Sequence, residues 1–240
     1  MSYKNFVYLC LFFFLSNTVK SSIDDYIYPY SSPSFNEYGS LGLIRMPSAR
    51  FYEEGTIAFH WSKNDPYTRG SIIAYPFNWF EASYQYTDVN NALYSSVESF
   101  SGNQTYKDKG FDVKFRLLKE RSFLPAVAIG IRDIAGTGTF AAEYLVGSKK
   151  IDFQNYFNNF SYVTTADFTL GLGWGDLAFS KFRNPLTKLD SSFERRTLIQ
   201  DTQGGEFSPG RYFSGPMGVF GGIEIPLPNL NGMKFKIEYD

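Results

Sequence analysis

Apolar and polar residues alternate with a period of two along most of the chain after residue 55. Phe111, Val113, Phe115 and Leu117 interleave with Asp112, Lys114 and Arg116. Phe235, Ile237 and Tyr239 interleave with Lys234, Lys236 and Glu238. Phe80, Ala82, Tyr84 and Tyr86 interleave with Glu81, Ser83 and Gln85, and Phe168, Leu170, Leu172 and Trp174 with Thr169, Gly171 and Gly173. Successive side chains of a strand point to opposite faces, so this period predicts strands rather than helices. Weaker alternation over residues 56–63, 68–75, 126–133, 140–149 and 219–225 brings the expected total to about nine strands. Most approach the 9–11 residues with which a tilted strand crosses a bilayer.

The connections are uneven. Residues 64–67, 76–78 and 226–232 read as short turns, and 135–138 as a tight one. Residues 119–125 and 150–162 are intermediate, whereas 88–109 and 175–215 read as long polar loops. In an up-and-down sheet successive connections alternate between two ends, and both long loops fall on the same end. Outer-membrane barrels have this asymmetry, with short periplasmic turns and long outer loops.

A soluble β-sandwich also alternates. Composition separates the two: 25 Phe, 18 Tyr and 3 Trp make one face unusually aromatic, while the other carries mixed charge. A lumen tolerates Arg69, Glu81, Asp112, Lys114, Arg116, Arg132, Asp133 and Glu143, whereas a lipid-facing Arg or Lys at mid-bilayer costs about 2–4 kcal/mol. The expected fold is therefore all-β, an antiparallel up-and-down outer-membrane β-barrel. An odd strand count with alternation running to Tyr239 leaves edges that lipid does not tolerate. The expectation is a barrel incomplete in this chain, truncated at its C-terminal side.

The N-terminus reads as an address. Lys4 precedes an apolar run over residues 6–15, followed by Ser16, Asn17 and Thr18. This fits a signal peptide over residues 1–21 and is too short for a spanning helix. Cys10 lies inside the apolar run, which argues against lipidation there. Residues 22–55 are expected to be a periplasmic or lumenal segment, and 56–240 the barrel domain. A net charge of −1 argues against nucleic acid as a partner, and one Cys with one His leaves no disulfide framework and no His- or Cys-based metal site. No nucleophile, phosphate-loop or zinc-protease motif is present. No cofactor and no enzymatic activity are expected. His60 reads as structural, and Asp108 with Asp112 as charge pairing with Lys107, Lys109 and Lys114 rather than as a glycosidase pair.

Several ordered segments resemble the YjbH-like outer-membrane proteins of exopolysaccharide and capsule production. They are Gly42-Leu43-Ile44-Arg45-Met46-Pro47-Ser48-Ala49-Arg50, Asp65-Pro66-Tyr67-Thr68-Arg69, Trp79-Phe80-Glu81-Ala82 with Tyr86-Thr87-Asp88, and Tyr106-Lys107-Asp108-Lys109-Gly110-Phe111-Asp112-Val113-Lys114. Arg132-Asp133-Ile134-Ala135-Gly136-Thr137-Gly138, Glu143-Tyr144-Leu145-Val146 and Gly171-Leu172-Gly173-Trp174-Gly175 complete the set. The resemblance implies a barrel in the outer membrane of a Gram-negative bacterium that assists polysaccharide export. Outer-membrane lipid, the exopolysaccharide and other export proteins would be its partners. The eight charged residues named above are the candidate lumen lining, binding sugar hydroxyls passively. Two alternatives stand beside this: a plugged scaffold recruiting export partners through 175–215, and a secreted polysaccharide-binding β-sandwich. The glycines at 171, 173 and 175 leave room for an inward-folded loop or for the segment 41–50.

Overall fold

The computed structural model describes residues 33–153, 165–196, 209–227 and 233–240. The expected signal peptide, Cys10, and most of the connections at 153–164 and 227–233 lie outside the described residues. Nine strands follow one another: β1 (Ile57–Asn64), β2 (Tyr67–Phe77), β3 (Phe80–Leu93), β4 (Thr105–Leu118), β5 (Ala126–Arg132), β6 (Ala142–Asp152), β7 (Thr165–Gly175), β8 (Met217–Pro226) and β9 (Lys234–Tyr239). Every neighbouring pair is antiparallel, and the sheet order is the chain order. The fold is an all-β up-and-down half-barrel whose edges are β1 and β9.

The alternation resolves as faces. Ile57, Phe59 and Trp61 of β1, Phe111 and Leu117 of β4, Leu170 of β7, and Phe235, Ile237 and Tyr239 of β9 are all exposed on the outer face. Between them Glu81, Ser83, Gln85 and Thr87 of β3, Lys114 of β4 and Thr169 of β7 are buried on the inner face. This inverts an ordinary globular protein, in which the large apolar side chains would be the covered ones.

One expected loop is shorter than its composition suggested. β3 and β4 continue to Leu93 and from Thr105, leaving only 94–104 as a connection with one helical turn at Glu98–Ser101. Asp88 pairs with Lys107 and accepts a 2.5 Å hydrogen bond from Thr105, so cross-strand polar contacts hold a hairpin whose sequence reads as loop. The connections 94–104, 133–141 and 176–216 share one end of the sheet. At the other end Phe77 and Trp79 stack at 5.3 Å, and Trp79 lies 6.2 Å from Phe115.

Trp174, near the end of β7, is not exposed as Leu170 of the same strand is. It is buried, with Phe213 from the long loop edge-on at 5.2 Å. The same loop turns inward at Leu177. A Cβ on Gly173 would lie 2.4 Å from the Leu177 Cβ, and one on Gly218 2.7 Å from its carbonyl oxygen, so both positions admit the loop only as glycine. Gly171 is matched instead to the Phe220 ring, 2.2 Å from where its Cβ would be.

Candidate functional site

Residues 33–52 pair with no strand of the sheet. They run along its concave face, and Tyr38, Leu41, Leu43, Met46 and Ala49 are buried there. The backbone folds back at Gly42, which bridges Pro47 while the Leu43 N–H donates to the Met46 carbonyl at 2.9 Å. A side chain at Gly42 would strike the Met46 oxygen, 2.2 Å away. Gly39 has φ +88° and packs on Ser71, a left-handed conformation that glycine adopts without strain.

The inner wall holds this segment through its backbone as much as its side chains. Lys236 donates to the carbonyls of Phe35, Gly42 and Leu43 at 3.2, 2.8 and 2.7 Å. Glu238 accepts the N–H groups of Ile44, Arg45 and Met46 at 2.8–2.9 Å, an anion held in a nest of backbone donors. Ser62 donates to the Glu37 carbonyl, Ser71 and Gln85 to that of Tyr38, and the Ala49 N–H donates to Ser148. Arg50 forks onto Asp167 with two bonds of 2.7 Å and reaches Glu120 at 2.5 Å. Burial alone would raise the Glu120 pKa, but the Arg50 charge and its hydrogen bond hold it below the ordinary carboxylate value. One short segment thus touches strands from β1 to β9, so the sheet curls around it. Leu43, Met46 and Ala49 join Ala128, Tyr144, Val146 and Phe220 in one apolar cluster, and Leu41 joins Ile73 and Tyr75 in another.

The charged residues expected to line a lumen have definite partners. Glu81 and Lys114 form an ion pair of 2.6 Å, both almost fully buried, and Ser40 of the segment donates to Glu81 at 2.6 Å. Lys114 and Arg116 stand 4.7 and 4.6 Å from the Phe51 ring centre. Arg69 lies 4.3 Å from the centre of the Tyr38 ring, and Arg132 lies 3.6 Å from it. Asp112 accepts the Asp133 N–H at 2.8 Å, and Asp133 accepts that of Gly138 at 2.6 Å, which closes the 133–138 turn. Burial, with the neighbouring Asp108 and Asp112 carboxylates, pushes the Asp133 pKa up to about 7. Glu143 grips the long loop instead of the segment: it binds Arg196 through bonds of 2.7 and 2.9 Å and accepts the Phe213 N–H at 2.9 Å.

The structure therefore brings Arg69, Glu81, Lys114, Arg116 and Arg132 against the N-terminal segment. It places Asp112 and Asp133 under the neighbouring turn and Glu143 under the long loop. His60 is also inward, its ring 5.6 Å from Phe35. Sequence reasoning missed Lys236, Glu238, Ser148, Asp167 and Asp176 as holders of the segment. Their inward register at Lys236, Glu238 and Ser148 was readable, but nothing local says what lies opposite.

The family described as "Exopolysaccharide biosynthesis protein YbjH" matches residues 34–240. The chain belongs to the YjbH family of exopolysaccharide biosynthesis proteins. It is 43% identical over 209 residues to "Uncharacterized lipoprotein YjbH" of Escherichia coli (strain K12). That match covers 87% of this chain and 28% of the relative, so the chain spans under a third of the relative's length. No solved structure matches. The YjbH match begins at residue 34, so it takes in the segment on the concave face together with all nine strands.

Proposed function

We propose that this protein sits in the bacterial outer membrane as part of a β-barrel and assists exopolysaccharide production and export without an enzymatic step. The observation that carries this is the inverted sheet: exposed aromatic and aliphatic side chains outside, buried charge inside. No helix among the described residues is long and apolar enough to cross a membrane; on this reading the strands, with their exposed apolar face, are the inserting elements. The stacked Phe77, Trp79 and Phe115 fit an aromatic girdle at the end with short turns. The relative's name, lipoprotein, supports membrane association, and the family supports the polymer. The signal peptide and the capsule link belong to the same proposal.

The resting interior is closed on this reading, because the polar wall that would meet sugar hydroxyls already binds residues 33–52. A second reading draws on the same filled interior: the protein is a scaffold that recruits export partners through 175–215 and conducts nothing. Fractionation tests the first claim. The full-length protein should remain in the outer-membrane pellet after alkaline carbonate washing; recovery in the soluble periplasm overturns it. Polymer yield from a deletion strain tests the pathway, and planar-bilayer current after removal of the segment separates a closed pore from a scaffold.

A further inference from the structure

Tyr38 is fully buried at the loop-rich end of the interior, with a cation on each of two sides. The Arg132 guanidinium is 3.6 Å from its ring centre and that of Arg69 4.3 Å. Its phenol donates to Asp176 at 3.0 Å and accepts from Arg45 at 3.2 Å. Tyr67 and Phe140 complete the walls, their ring centres 4.4 and 5.3 Å from the Arg69 guanidinium. Arg69 is 1% exposed, yet none of its three nitrogens has a hydrogen-bond partner among the described residues; Glu37 stands 3.5 Å from one of them as an ion pair. One nitrogen of Arg132 is in the same position, 3.6 Å from Asp176.

A buried guanidinium without hydrogen-bond acceptors is costly, and ring faces offset only part of that cost. The peptide segment fills this cavity by shape but leaves the Arg69 guanidinium and one nitrogen of Arg132 without a hydrogen bond among the described residues. A carboxylate would satisfy such donors in pairs, because guanidinium and carboxylate match as two parallel hydrogen bonds. Three cations (Arg45, Arg69, Arg132) and two carboxylates (Glu37, Asp176) make up the direct contacts of Tyr38 and Arg69, while Asp108 and Asp112 act on Arg69 and Arg132 from β4 without bonding to them. A phenol and a pyranose are both six-membered rings bearing hydroxyl groups. The donor and acceptor that hold the Tyr38 hydroxyl would hold a sugar hydroxyl in the same way.

We propose that the Tyr38 cavity is a subsite for a carboxylate-bearing sugar of the polymer, occupied in this structure by a tyrosine of the protein's own N-terminal segment. This rests on the reading of the protein as a polysaccharide-handling one. Ligand entry then requires Tyr38 to withdraw, so the segment that fills the interior also competes with the polymer for it.

The test uses full-length protein in lipid nanodiscs, trigalacturonate as the acidic probe and maltotriose as the neutral one. Tyr38→Ala should bind trigalacturonate at least about tenfold tighter than the wild type, with no gain for maltotriose. Adding Arg69→Gln to Tyr38→Ala should remove the gain. Tyr38→Leu, which keeps an apolar side chain in the segment, gives the same readout where Tyr38→Ala does not insert. An inserted variant with no gain, or with equal gain for maltotriose, overturns the subsite. A wild type that fractionates as soluble overturns the outer-membrane reading instead, so the two failures are distinct.

Discussion

The ion pair between Lys114 and Glu81 is the sharpest place to test the filled interior. The two side chains are 1% and 3% exposed, and Nζ lies 2.6 Å from Oε2. At an effective dielectric constant of about 20, that separation gives an attraction of about 6 kcal/mol before either ion's desolvation is counted. Desolvation consumes most of it, so the pair's net contribution is small. Removing one partner is different, because the other charge stays buried among Ser40, Tyr75 and the segment. Lys114→Met should therefore destabilise the folded protein by about 3–5 kcal/mol, and Glu81→Leu by a similar amount. The double variant should fall within about 1–2 kcal/mol of the wild type, a coupling that only a buried pair produces. Urea unfolding in lipid vesicles measures all four proteins. The unpaired charge left in each single variant lies beside Ser40 of the segment, so each should expose the trypsin sites at Arg45 and Arg50 faster than the double variant. Two single variants each costing under about 1 kcal/mol would mean that the pair is solvated, as in an open water-filled lumen, and would refute the packed interior.

Leu170 is 68% exposed in the middle of β7, and Leu170→Arg should cost about 2–4 kcal/mol in vesicles if that face meets lipid. A change within about 0.5 kcal/mol, measured by urea unfolding, would place it in water instead. Arg50→Ala removes a forked contact to Asp167 and a bond to Glu120, so it should cost about 2–3 kcal/mol and release residues 33–52 to protease. Asp133 has a folded pKa raised to about 7 by burial and by Asp108 and Asp112, with Arg211 acting in the opposite direction. The folded state then binds the extra proton between about pH 4 and 7, so this stability is complete below about pH 4 and is lost as pH rises through 7. Amide exchange in the 133–138 turn should quicken over that interval, and Asp133→Asn should flatten the profile.

The period of two settled much from the chain alone. Once Phe111 and Leu117 stood opposite Asp112 and Lys114, the strand, its two faces and the antiparallel meander followed, because a pleated strand offers no third direction. Loop asymmetry followed from parity, and the inward register of Arg69, Glu81, Lys114 and Arg132 followed from the same alternation. The extension of β3 and β4 through residues 88–93 and 105–109 did not, since a run of mostly polar residues resembles a loop until Asp88 and Lys107 are seen across the ladder. Nor did the occupancy of the interior. Residues 33–52 carry no period, and the partners that hold them are distant in sequence: Glu238 lies more than 190 positions from the N–H groups it accepts. Local pattern tells each side chain which way to face. Only the curled sheet decides what it meets there, because that depends on where the whole backbone brings its other segments.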